Sequence, residues 1–143
     1  RQWLEHLCYV RGFKDTTELK KKLPTIVRKD FLYVNRTKYK KYADDVDLLV
    51  PKKVVHDYIK DTYGITVSKV SLPVKNGKYL LKELWWQDAT QVYFDKAVKT
   101  KDGAKIILKR KLFGKSVGQN EITVKPAKNS RGFVITSIKF YEK

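Results

Sequence analysis

The apolar periodicity of this chain changes once, at Gly64. Before that residue, apolar side chains recur three and four apart, the spacing of one helix face; after it they alternate, the spacing of one face of a strand. A chain built this way places its helices first and an antiparallel sheet second.

The segment "VPKKVVHDYIKDTYG" is the clearest helix. Val54, Val55, Tyr58, Ile59 and Thr62 share one side, Pro51 suits the first helical position, and Gly64 suits the residue just past the end. Lys53 and Asp57 sit four apart on the other side, the spacing of a surface ion pair. Further upstream, "QWLEHLCYVR" puts Trp3, Leu4, Leu7, Cys8 and Val10 on one stripe that ends near Gly12. In "DTTELKKKLP", Asp15 is the predicted N-cap, with Glu18 three residues on, and Pro24 the predicted stop; a restart as "PTIVRKDF" is the alternative. From Leu32 to Asp47 the pattern is poor, with Tyr33, Tyr39 and Tyr42 spread among lysines, and it reads as irregular with one strand at its start.

Beyond Gly64, Ile65 to Val70 reads as a strand, and Asn76-Gly77 as a hairpin turn into "KYLLKELWW". Gln91 to Lys99 then pairs through Asp102-Gly103 with Ala104 to Phe113, and "EITVKP" and "GFVITSIKFYE" add two more strands. With no repeat, linker or low-complexity stretch, residues 1–143 read as one α+β domain whose N-terminal helices pack on one face of a curved antiparallel sheet. A chain of this length buries about 68% of its unfolded surface, enough for a core without staples.

The formal net charge is +17, shared between both halves of the chain rather than held in a tail. Of 32 basic residues 26 are Lys and six are Arg. Base-specific readout leans on the forked arginine side chain, whereas lysine acts as a point charge, so the composition favours non-specific attraction to a polyanion. The stretch "AKIILKRKLFGK" localises that charge. Alternation assigns Ile106, Leu108, Arg110 and Leu112 to an inner face, and Lys105, Ile107, Lys109, Lys111 and Phe113 to an outer one. Lys105, Lys109 and Lys111 are therefore candidate anion contacts, with Lys38, Lys40 and Lys41 as a second cluster. Trp85 and Trp86 are adjacent, so a strand must point them to opposite faces, one of them available to stack on a ring.

Catalytic and metal chemistries find little support. The two histidines, His6 and His56, lack partners at ligand spacing, and His56 reads as a solvated residue of its helix face. Cys8 stands alone and reads as a small core hydrophobe. Tyr42-Ala43-Asp44-Asp45 matches the Tyr-x-Asp-Asp motif of reverse transcriptases, but the rest of a palm domain does not fit in 143 residues. Asp44, Asp45 and Asp47 read instead as a solvated acidic loop ahead of the helix at Pro51. Neither a phosphate-cradling glycine loop nor a nucleophile elbow occurs, and no cofactor is expected. A cone-shaped α+β fold can host an acid–base pair in its sheet cavity, such as Asp88 or Asp95 with Tyr93.

In element order and texture, "VPKKVVHDYIKDTYGI" followed by "NGKYLL", "QVYFDKAVKTKDGAKIILKRKL" and "GFVITSIKFYEK" resembles the cystatin-like and nuclear-transport-factor-like α+β domains of bacterial envelope proteins. The resemblance spans residues 50–143 and contains no diagnostic motif, so no functional residue is carried over. It implies a secreted or lipid-anchored, non-catalytic domain with a concave sheet under helices. The chain holds no methionine and opens at Arg1 in an apolar-periodic segment, as a processed or trimmed product does. The leading expectation is a non-enzymatic accessory domain whose lysine-rich surface works beside an anionic polymer or membrane surface in the extracytoplasmic space or cell envelope. Non-specific nucleic-acid binding is the first alternative, and a small-ligand binder or enzyme with a cavity in the concave sheet face is the second.

Overall fold

The computed structural model describes residues 12–34, 36–83 and 91–142; the expected first helix, with Trp3, His6 and Cys8, and the residues Trp85, Trp86 and Asp88 lie outside them. Helix α1 spans Thr16–Lys29 and is capped as expected, the Asp15 carboxylate accepting from the Glu18 N–H at 2.9 Å. It does not stop at Pro24. A proline inside a helix costs about 3 kcal/mol, but Leu19, Leu23, Ile26 and Val27 continue one buried stripe across it, and burial of a large aliphatic side chain contributes about 1.5–3 kcal/mol each.

The helix then widens into a π-helical turn, Asp30–Val34, which buries Asp30, Phe31 and Leu32 completely. The segment expected to be irregular is organised by its aromatic residues. A helical turn α2, Arg36–Tyr39, and a 3-10 turn, Lys40–Tyr42, set Tyr39 flat on Phe31 with ring centroids 4.2 Å apart. Tyr58 meets Phe31 edge-on at 5.0 Å. Helix α3, Lys52–Tyr63, follows the expected spacing, and Gly64 ends it in the left-handed conformation at φ 73°, its N–H bonded to the Lys60 carbonyl. Pro51 falls one residue outside the helix, as the last residue of a strand.

Two antiparallel sheets complete the α+β fold. The smaller has the order β1-β2-β4-β3, from β1 (Ala43–Asp44), β2 (Asp47–Pro51), β3 (Val74–Lys75) and β4 (Lys78–Leu81). The larger is a meander, β5 (Gln91–Lys99), β6 (Ala104–Leu112), β7 (Lys115–Pro126) and β8 (Phe133–Glu142). Helix α3 packs against both β2 and β8, and one apolar cluster joins Leu19 and Phe31 to Leu48 and Tyr79 of the small sheet and to Leu108, Ile122 and Ile138 of the meander. The inner face of the meander is thus filled by side chains.

Three further expectations are corrected. Ile65 to Val70 forms no strand; Ile65 and Val67 lean on the core in the expected alternation, but the Val70 N–H donates to the Tyr79 hydroxyl at 3.0 Å instead of to a neighbouring strand. Alternation says which side chains go in and supplies no backbone partner. Asp44, Asp45 and Asp47 are not a loop but the β1–β2 hairpin, with Asp45 at φ 59° in the turn, Asp44 paired to Lys75 at 3.3 Å, and Asp47 accepting from the Glu83 N–H at 2.8 Å. Strand β7 starts six residues earlier than "EITVKP" suggests, so β6 and β7 join through the two residues Phe113-Gly114.

Candidate anion-binding surface

Strand β6 carries the expected division. Ile106 and Leu108 belong to the core, and Arg110 follows them inward at 7% exposure. A guanidinium in that position requires partners. Its Nη2 donates to the Tyr141 carbonyl at 2.7 Å, and its charged end lies 3.6 Å from the centre of the Phe140 ring. Gly118 makes this possible: a side chain there would collide with Arg110 and with the Tyr141 carbonyl, and its backbone sits at φ 141°. A bulge at Arg110/Lys111 closes the arrangement, two strands from the edge that holds Tyr141.

On the outer face, Lys109 and Lys111 are exposed and Lys105 is half-buried. Ile107 departs from the expected exposure, buried to 7% between Lys96 and Glu121 in register. The register aligns Tyr93, Lys109, Gln119 and Tyr141 in one row across all four strands. Tyr93 and Tyr141 are each more than two-fifths exposed at its ends. The Lys111 ammonium lies 5.5 Å from the centre of the Tyr93 ring. Two carboxylates temper the charge: Asp95 reaches Lys109 at 3.7 Å, and Glu121 accepts from the Tyr141 hydroxyl, which raises that hydroxyl above its ordinary pKa. Tyr93 and Asp95 therefore stand on the outside of the sheet and not in a cavity. A depression of about 430 Å³ runs along this face past Lys109, Lys111, Ser116, Gln119 and Tyr141.

The second lysine cluster lies elsewhere. Lys38, on α2, and Lys41, on the 3-10 turn, each hold their ammonium over the neighbouring tyrosine ring, at 5.4 and 5.2 Å, and Lys40 is exposed. Lys38 faces a cleft of about 700 Å³ between α3 and the β7–β8 loop, where Lys60, Lys128 and Arg131 also converge. The two depressions share no lining residue, so the fold does not merge the two expected clusters into one groove.

That loop was not foreseen. Asn129 organises it, its amide donating to the carbonyls of Asp61 and Phe133 while its side-chain oxygen accepts from the N–H groups of Arg131 and Gly132. Arg131 Nη1 then donates to the Asp61 carboxylate and to the Thr62 hydroxyl, clamping the loop on the end of α3. Beneath it, Asp30 accepts hydrogen bonds from the hydroxyls of Tyr58 (2.8 Å) and Tyr63 (2.7 Å). Burial pushes the Asp30 carboxyl up to about 6, against the two tyrosine hydrogen bonds and the Arg131 charge that pull it down. Burial, with the Asp30 charge behind it, likewise raises the Tyr63 hydroxyl. His56, expected in solvent, is half-buried with its Nε2 2.7 Å from the Tyr79 hydroxyl.

Among the described residues no group of three His, Cys, Asp or Glu side chains is placed to hold a metal ion, and no helix is long and apolar enough to cross a membrane. Compared with protein-family models, curated proteins and solved structures, the chain matches none.

Proposed function

We propose that the chain is a non-enzymatic binding module whose outer meander face receives an extended polymer of repeating negative charge, an anionic wall or other cell-surface polymer in an extracytoplasmic setting. The observation that carries this reading is the row Tyr93, Lys109, Gln119 and Tyr141, with Lys105 and Lys111 on the strand it crosses. Charges on a stiff sheet keep a fixed spacing that a linear polyanion can follow, and rings at both ends of the row give its sugar units an apolar surface. The resemblance to envelope domains points to the same setting.

A second reading, single-stranded nucleic acid, is favoured by the same two rings, since bases stack on exposed aromatic residues between basic ones. Retention on an immobilised anionic wall polymer and on single-stranded DNA, measured against salt, tests both. Binding should weaken steeply as salt rises, and replacing Lys105, Lys109 and Lys111 by Gln should flatten the dependence by about two to three units of log–log slope. A triple variant that binds like the parent chain on both supports would sink the proposal. Retention on DNA alone would transfer the face to nucleic acid.

A further inference from the structure

The β6–β7 turn breaks two local rules at one residue. Phe113 is 88% exposed, the highest value among the large apolar side chains described, and its backbone sits at φ 51°, in the left-handed region where non-glycine residues other than Asn and Asp are seldom found. Gly114 follows at φ 79°, so both central residues of this two-residue hairpin have the positive φ of a type I′ turn. That turn favours Asn-Gly, and the chain uses Asn-Gly at Asn76-Gly77, where φ is 54° and 72°. Neither turn chemistry nor packing accounts for a phenylalanine at position 113.

Its surroundings indicate what would cover it. Residues 109–119 contain three lysines, one arginine and no acidic residue. Arg110 turns inward to Tyr141 and Phe140, which ties the base of the hairpin to β8, while Lys111 and Lys115 stay exposed on the two strands that carry the tip. Among the described residues, Glu142, opposite Gly118, and Asp95, 3.7 Å from Lys109, bring acidic groups to the hairpin's base and none to its tip. The outcome is a finger tied at its base by Arg110, with one aromatic ring at its end and lysines on both of its strands. An aromatic side chain that enters the headgroup boundary while flanking lysines meet lipid phosphates is the arrangement by which peripheral proteins hold an anionic leaflet.

We propose that the Phe113 hairpin tip is a contact site for an anionic lipid bilayer, with Phe113 entering the interface and Lys111 and Lys115 beside the headgroups. This goes beyond the polymer reading, because the ring at the tip stands apart from the row that crosses the sheet face. Phe113→Asn separates the possibilities: it creates the favoured Asn-Gly turn, so the variant should fold at least as stably as the parent chain while losing the ring.

The test is co-sedimentation of the full chain with vesicles of phosphatidylglycerol and phosphatidylcholine, and with phosphatidylcholine alone, at fixed salt. The parent chain should bind the anionic vesicles and not the neutral ones. Phe113→Asn should bind them at least about tenfold more weakly with an unchanged or higher thermal midpoint, and Phe113→Trp should bind within about twofold of the parent. Its retention on the anionic polymer should stay as it was. Equal vesicle binding by Phe113→Asn, or no vesicle binding by the parent chain, would overturn the proposal. Loss of polymer retention in Phe113→Asn without vesicle binding would assign the ring to the polymer.

Discussion

Asp30 and Phe113 both stand where their chemistry disfavours them, and the protein treats them in opposite ways. Asp30 is a carboxyl with no exposed surface; the fold surrounds it with the hydroxyls of Tyr58 and Tyr63 and sets Arg131 near enough to be felt. Phe113 is an aromatic residue in water and in left-handed backbone, with its ring left bare. A misfit that the interior compensates belongs to the fold. One left uncompensated on a hairpin tip is the ground for the contact proposed at Phe113.

The largest expected effect is a pH dependence at the interior site. Unfolded, the Asp30 carboxyl titrates near 3.8; folded, it titrates near 6, so between these values the folded chain holds a proton that the unfolded chain has lost. Its contribution to stability is therefore full below about pH 4, declines as pH rises to about 6, and stays lost above that, by on the order of 3 kcal/mol. Urea unfolding from pH 4 to 8 should show this decline, and Asp30→Asn should flatten it. A parent chain whose stability rises through that window would break the comparison on the interior side.

The two hairpin turns offer a reciprocal exchange. Asn76→Phe places in the small sheet the residue that the meander tip carries, and should cost about 1–2 kcal/mol, read as a lower denaturation midpoint. Phe113→Asn should raise stability by about 1 kcal/mol for the same reason. If both substitutions were neutral, left-handed backbone would cost phenylalanine nothing here, and the case for an outward role at Phe113 would lose its physical basis.

Gly118→Ala sharpens a smaller point. The added methyl meets the Arg110 guanidinium and the Tyr141 carbonyl, so the variant should lower the thermal midpoint by several degrees and loosen the base of the finger. Weaker vesicle binding with Phe113 intact would then reflect stiffness rather than the ring.

Much of the fold was legible in the sequence because period and caps are local properties. Helix α3 with Gly64, the cap at Asp15, the Asn76-Gly77 turn and the inward position of Arg110 all follow from residues within a few positions of one another. The tyrosine-rich segment was not legible, since what orders Tyr39 is the ring of Phe31 and the edge of Tyr58, nineteen residues further on. Pro24 misled for a related reason: the stop signal is local, and the burial that overrides it is not. At the candidate site, alternation identified Lys105, Lys109 and Lys111, but the aromatic ends of the row depended on strand register. The bare ring of Phe113 could be recognised only once β7 was seen to begin at Lys115.

By itself, then, the sequence determined the α+β order, the basic character and which side of β6 each lysine takes, because periodicity and charge need no partner. Only the tertiary structure decided that Asp30 lies buried between two tyrosines, that the two lysine clusters face different depressions, and that Phe113 stands at a tip. Each of those depends on which distant segments meet, and contact between distant segments is set by how the whole core packs.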